Sequence, residues 1–173
     1  LKTTDWAGEL IANYRLYDDH LVKFGYQFKN IHVFNLFLQQ AHGVYYFDSI
    51  QDFANGTAEQ LSFGNSLTGT ATDAAARFSY SVHTLLAQDT WDVRRGLTVN
   101  YGLRYDMYAS DVQPTLNTNF QGRYGFTNQA TYDGRSVLMP RLSAKWRTET
   151  FELSGGVGLV SGGVPDVFLG NSY

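Results

Sequence analysis

Leu97-Thr98-Val99-Asn100-Tyr101-Gly102-Leu103-Arg104-Tyr105-Asp106-Met107 alternates without a break. Leu97, Val99, Tyr101, Leu103, Tyr105 and Met107 share one parity, and Thr98, Asn100, Gly102, Arg104 and Asp106 share the other. Successive side chains of a strand point to opposite faces, so this stretch reads as a strand between an apolar and a polar environment. A helix would mix the two sets.

The same period recurs on both sides. Downstream, Phe151, Leu153, Gly155, Val157 and Leu159 oppose Thr150, Glu152, Ser154, Gly156 and Gly158. Leu138, Pro140, Leu142, Ala144 and Trp146 oppose Met139, Arg141, Ser143, Lys145 and Arg147, a polar parity with three cations. Pro140 lacks an N–H, so it demands an edge, a bulge or a missing ladder bond. Upstream, Val22, Phe24, Tyr26 and Phe28 oppose Lys23, Gly25, Gln27 and Lys29, and Leu10, Ala12, Tyr14 and Leu16 oppose Glu9, Ile11, Asn13 and Arg15. Phe78, Tyr80 and Val82 oppose Arg77, Ser79, Ser81 and His83, but from Leu85 to Trp91 the parity is ambiguous, as a bulge would make it.

Alternation fits two architectures. In a soluble sandwich the apolar face is core, whereas in a membrane barrel it meets lipid and the polar face lines a lumen. Composition favours the barrel. Of 173 residues, 17% are charged against roughly 25% in soluble domains, while twelve Tyr, twelve Phe and three Trp bring aromatics to 16%. Trp6, Tyr14, Tyr17, Trp91, Tyr105, Tyr108 and Trp146 fall near segment ends, where an interfacial girdle needs them. Mean hydropathy is -0.27, and no stretch approaches the roughly 18 apolar residues of a membrane helix.

Connections alternate between short and long. Residues 17–20, 92–96 and 147–150 read as tight turns, while about 37–76 and 108–135 read as long loops rich in Asn, Gly, Thr and Gln. Short turns on one side and long loops on the other are the rule of outer-membrane barrels. Six strands satisfy it, near 9–17, 20–36, 77–91, 97–107, 136–147 and 150–161, provided that Val44-Tyr45-Tyr46-Phe47 stays in the first loop. Ser49 to Gly56 reads as one helical turn with Ser49 as cap and Gly56 as stop. The expected fold is therefore all-β: about six antiparallel strands of a transmembrane β-barrel in the cell outer membrane, with residues 1–173 as one partial barrel domain.

Three stretches resemble a known family. Leu85-Leu86-Ala87-Gln88-Asp89-Thr90-Trp91, followed by Leu97-Thr98-Val99-Asn100-Tyr101-Gly102-Leu103-Arg104-Tyr105-Asp106, resembles the AQDxW and LTxNYGLRYD hairpin of TonB-dependent outer-membrane receptors. Leu21-Val22-Lys23-Phe24-Gly25-Tyr26-Gln27-Phe28 and Val33-Phe34-Asn35-Leu36-Phe37 are similar to the LKFG strand of the same barrels, particularly the Oar-like group. Leu138-Met139-Pro140-Arg141-Leu142-Ser143 and Gly155-Gly156-Val157-Gly158-Leu159 resemble later strands of the same barrels. The resemblance implies a 22-stranded Gram-negative receptor-transporter with an N-terminal plug, energised by the TonB complex to import a ligand of unknown identity. No plug or TonB box is seen in this sequence. The N-terminus lacks signal-peptide character and the tail from Gly163 to Tyr173 lacks a strand pattern, so the chain reads as internal to something longer. A passive channel, a surface adhesin and a soluble sandwich binding module stay open as alternatives.

Enzymatic chemistry finds little support. Cysteine is absent, and His20, His32, His42 and His83 have no zinc-ligand spacing. Ser81, His83 and Asp89 lie on one candidate strand without a GxSxG elbow, and strand neighbours of this kind are a common accident. Gly156, Gly158 and Gly162 lack the spacing and following helix of a phosphate loop, and Asn55-Gly56-Thr57 is a glycosylation acceptor without bearing in a bacterial outer membrane. Net charge is -3, with no basic cluster beyond Arg94-Arg95, which argues against a nucleic-acid partner. No enzyme and no cofactor are expected. The residues to watch are the lumen-facing Lys23, Arg104, Asp106, Arg141, Lys145 and Glu152, either paired with one another across strands or with a plug, or touching a ligand. Between Lys29 and Arg77 the first loop has no Lys or Arg, so Asp48 and Asp52 are candidates for a cation or are plain solvated carboxylates. In the second loop, Tyr108, Phe120, Tyr124, Phe126 and Tyr132 offer stacking platforms or pack on one another.

Overall fold

The computed structural model describes residues 1–163. The reading of the tail falls largely on residues 164–173 and lies outside the described residues. Six long strands form one sheet: β1 (Lys2–Leu16), β2 (His20–Asn35), β5 (Ala76–Arg94), β6 (Leu97–Ala109), β7 (Ser136–Arg147) and β8 (Glu152–Gly158). They lie side by side in the order β1-β2-β5-β6-β7-β8, every pair antiparallel, and β1 and β8 are not paired with each other. β3 (Val44–Tyr46) pairs only with β4 (Gln60–Ser62) in a separate hairpin, so Val44 to Phe47 does not cross the sheet.

All three tight turns sit at one end. Leu16 and His20 are directly opposed, and Tyr17 takes the left-handed φ of 57° that the turn requires. The register of β5 and β6 shifts between Asp92 and Arg94, a bulge that leads into Arg95-Gly96. Gly96 has φ 78°, and a Cβ there would meet the carbonyl oxygen of Arg147. The Gly96 carbonyl in turn accepts from the Arg147 N–H at 2.7 Å, which ties this turn to the end of β7.

The two loops at the other end are built, not merely long. In the first, α1 (Ile50–Asn55) begins where the Ser49 side chain accepts from the Asp52 N–H and ends at Gly56, φ 71°. Both capping residues were legible in the sequence. The second loop holds α2 (Thr118–Tyr124), which sequence reading did not foresee. Its signals are an Asn117 side chain accepting from the Phe120 N–H and a left-handed Gly125.

Directly opposed residues of an antiparallel pair share a face, so the register sorts every side chain. One face carries Leu10, Phe24, Tyr26, Leu85, Leu103, Tyr105, Leu138, Leu142, Leu153 and Val157, all directly aligned or an even number of residues away from aligned partners. Most of these are exposed. The opposite face carries Glu9, Lys23, Gln27, Gln88, Asn100, Arg104, Asp106, Arg141, Lys145 and Glu152. Among the described residues, Leu97, Val99, Tyr101 and Leu103 pack against no second layer.

Toward the loops the two faces exchange character. β5 runs for 19 residues, whereas about ten suffice to span a bilayer at a barrel's tilt. Phe78 and Tyr80 lie on the polar face with Ile31 and Val33, forming a buried cluster covered by Val82, Tyr108 and Val112. The apolar face there holds Asn30, His32, Ser79 and Ser81, joined by Asn30 Nδ2 donating to Ser81 Oγ at 2.9 Å and by His32 Nδ1 to Ser79 Oγ at 2.8 Å. This corrects the reading of residues 77–91. No register shift interrupts β5 between Ala76 and Asp92, so the ambiguous parity reflects a change of surroundings and not a bulge. Tyr108 likewise belongs to the inner cluster, near Tyr80 and Tyr132 at 6.5 and 5.9 Å, and not to an outer girdle.

Pro140 sits mid-sheet without cost to the β6 ladder. Its carbonyl accepts from the Leu159 N–H at 2.9 Å, so its missing donor also points toward β8, whose pairing with β7 stops at Arg141 and Gly158. N–H and C=O of one strand residue point to the same neighbour, so the absent donor falls at the end of a ladder.

Candidate functional site

The polar face holds a groove of about 820 Å³, lined by Glu9, Lys23, Gln27, Gln88, Asn100, Arg104, Arg141 and Ser143 among others. Its floor follows from register. One row of aligned residues, Asn13, Lys23, Gln88, Gly102, Arg141 and Gly158, crosses all six strands on this face. Gly102 is obligatory in that row, because a Cβ would come within 2.8 Å of the Ala87 carbonyl oxygen and 3.1 Å of Gln88 Cα. Gly158 lies under the Arg141 side chain, whose Cγ a Cβ would approach to 3.0 Å.

The six candidate residues all face this side, but they fall into three groups. Arg104 and Asp106 belong to a chain of hydrogen bonds across four strands. Arg104 Nε donates to Asp106 Oδ1 at 2.9 Å, its Nη1 to Gln27 Oε1 at 3.0 Å and its Nη2 to Thr84 Oγ1 at 3.2 Å. Thr84 Oγ1 donates to Asp106 Oδ1 at 2.7 Å, and Gln27 Nε2 donates to Glu9 Oε2 at 3.0 Å. Asp106 and Thr84 are buried, so Arg104 compensates a carboxylate that would otherwise lie unpaired in a low-dielectric wall.

Lys145 and Glu152 form the second group. Glu152 receives Lys145 Nζ at 2.8 Å and Arg147 Nη2 at 2.6 Å beside the turn between β7 and β8. Lys29 and Asp5 make a similar pair near the other end, at 2.8 Å. Lys23 and Arg141 form the third group. Among the described residues neither has a carboxylate partner or a side-chain hydrogen bond. Thr84, Gln27, Glu9 and Gln88 were missed as site residues, although their parity relative to Arg104 identifies them once the register is known.

A family model described as an outer membrane beta barrel domain matches residues 14–164. The chain belongs to the outer membrane beta barrel domain family. No curated protein and no solved structure matches it.

In an outer membrane beta barrel domain the apolar face meets lipid, the polar face is the lumen wall, and the protein lies in the outer membrane. The aromatic residues of the lipid face then fall at two levels. Tyr14, Trp91 and Trp146 stand near the tight turns, and Trp6 and Phe28, 4.8 Å apart, stand near the long loops. Between Trp91 and His83 the band spans nine residues of β5, about 27 Å along the strand and about 20 Å vertically at a barrel's tilt. That matches the height of an outer-membrane apolar band.

Ser81, His83 and Asp89 share the lipid face but not a site. Asn30 donates to Ser81, Tyr26 Oη lies 2.7 Å from His83 Nδ1, and Asp89 Oδ2 lies 2.6 Å from both His20 Nδ1 and Tyr101 Oη. His20 stacks on Trp91, ring centroids 5.3 Å apart. The Asp89 carboxylate is thus wrapped by girdle residues near the tight turns, which lets the barrel's outer surface tolerate an acid.

In the loops, Asp52 accepts from the Ser49 hydroxyl at 2.5 Å, and among the described residues no three His, Asp or Glu side chains come together with Asp48 or elsewhere as an ion cage. The second-loop aromatics pack on one another. Phe120 lies 4.8 Å from Tyr124 and 5.3 Å from Phe126, and Tyr108 joins Tyr80 and Tyr132.

Proposed function

We propose that this chain is a sector of the wall of a receptor-transporter that imports a ligand across the outer membrane under TonB control. Its six strands are one part of a larger closed barrel, and its partners are outer-membrane lipid, a plug domain in the lumen, the TonB complex and the ligand. The hairpin of β5 and β6 carries the reading. Its sequence resembles the AQDxW and LTxNYGLRYD motif, and its register sends Gln88, Asn100, Gly102, Arg104 and Asp106 of that motif to the lumen. The work is selective passage without bond making, so no residue is assigned a catalytic role.

The polar wall supports this reading on physical grounds. Charged side chains face a lumen only where water or a hydrophilic partner meets them, and their fixed pairing keeps the wall rigid while a ligand passes. The test is reconstitution of the full-length protein in planar bilayers, together with binding of the purified periplasmic domain of TonB. A barrel that stays closed to ions and binds that domain saturably fits the proposal. Spontaneous steady conductance without TonB binding would replace it with a passive channel, and a closed barrel that does not bind TonB would replace it with a surface adhesin.

A further inference from the structure

Several charges of the lumen face are paired, while others are held by neutral groups: Arg15 reaches the Asp18 carbonyl, Glu9 accepts from Gln27 and Asp92 accepts from Thr98. Lys29 meets Asp5, Arg104 meets Asp106, and Lys145 and Arg147 meet Glu152. Lys23 and Arg141 meet no acid among the described residues, although both lie in the same row of the wall. They stand three strand spacings apart, roughly 14 Å between backbones. Between them lie Gln88 and the side-chain-free Gly102.

Gln88, Asn100 and Ser143 add neutral polar groups to a lining that also holds apolar Ile11, Leu86 and Met139. Asn100, which lines the groove, accepts at Oδ1 from Thr90 Oγ1 at 2.7 Å and so keeps its amide N–H donors in reserve. Ser143 is directly opposed to Asn100. Glu9 is the acid lining the groove, and Gln27 holds it from the side of Arg104. With two cations that no acid meets against the single carboxylate of Glu9, and with amide and hydroxyl groups between the cations, this wall section carries a net positive charge and favours an anion over a cation.

We infer that Lys23 and Arg141, with Gln88, Asn100 and Ser143 between them, form a lumenal binding station for an anionic solute bearing carboxylate or phosphate groups. This rests on the receptor-transporter reading and names the charge class of its ligand. Arg141 supplies a planar fork for an oxyanion, and Lys23 supplies a mobile point charge at the other end.

The test uses the full-length protein in outer-membrane vesicles with Gln88→Cys, which places a thiol between the two cations. Its modification is timed with a sulfonate-bearing and a trimethylammonium-bearing methanethiosulfonate, each normalised to its rate with free cysteine and to vesicles without the substitution. The anionic reagent is expected to react about three- to fivefold faster. That preference is expected to vanish with Lys23→Gln and Arg141→Gln together, and inorganic phosphate is expected to slow the anionic reagent more than the cationic one. Equal rates, or a preference untouched by the two substitutions, would overturn the station. So would a thiol that reacts with neither reagent until the protein is denatured, because protein then covers the site. None of these readouts depends on TonB, so failure of the station and failure of the uptake reading are told apart.

Discussion

Phe78 and Leu85 lie on opposite faces of one uninterrupted strand, Phe78 3% exposed and Leu85 48% exposed. Seven residues separate them, an odd number, so the strand itself obliges them to point opposite ways. Phe78 is packed in the mouth under Tyr108 and Val112, and Leu85 faces lipid. Phe78→Ala is expected to cost about 3–4 kcal/mol, because it leaves a cavity as well as losing transfer energy. Leu85→Ala is expected to cost about 2 kcal/mol, the transfer term alone, since lipid chains fill the space. Denaturant unfolding of the full-length protein refolded in lipid vesicles measures both. Equal costs would mean that the two sites share one environment.

That exchange of environment explains why β5 was the least legible strand. The parity of residues 97–107, 138–147 and 151–159 could be read directly because each segment stays within one pair of surroundings. β5 passes from lipid and lumen to water and packed loop, so its apolar residues change parity at Thr84 while its backbone keeps register. Sequence supplies hydrophobicity but not height above the membrane. The helical turn after Ser49 was readable from its capping residues, whereas α2 was not, because Asn117 and Gly125 lie in a stretch already rich in Asn and Gly.

The candidate site was legible as a list of lumen-facing charges and not as a grouping. Pairing depends on which rows align, and alignment is fixed by turn lengths that sequence marks only within a residue or two. Arg104 and Asp106 are two apart on one strand and face the same way. Only the register shows that Gln27 and Thr84 complete their bonds, and that Lys23 and Arg141 are left over.

Arg104→Met leaves the buried Asp106 with Thr84 as its side-chain donor, and a loss of about 2 kcal/mol is expected, as for other half-exposed partners of a buried carboxylate. Adding Asp106→Asn should return a substantial part of that loss. A double-mutant cycle from unfolding midpoints reads the coupling. Additive effects would show that the pair does not act as a unit.

On the lipid face, Asp89 Oδ1 is buried without a hydrogen-bond partner among the described residues, so the carboxylate depends on what His20 and Tyr101 give to Oδ2. Tyr101→Phe is expected to destabilise the barrel. Tyr101→Phe combined with Asp89→Leu is expected to be less destabilised than Tyr101→Phe alone, because no polar group then lies orphaned against lipid. A double variant as unstable as the sum of the singles would contradict this role for the tyrosine hydroxyl.

The face assignment of β6 is tested most directly by a nitroxide scan of residues 97–107 in the full-length protein in lipid bilayers, reading collisions with oxygen and with a water-soluble nickel chelate. Labels at Tyr101, Leu103 and Tyr105 are expected to favour oxygen, and labels at Asn100, Gly102 and Arg104 are expected to favour the chelate or to be shielded from both by protein in the lumen. Labels at Tyr101 and Leu103 shielded from oxygen, or exposed to the chelate, would contradict a lipid-facing strand and with it the barrel wall.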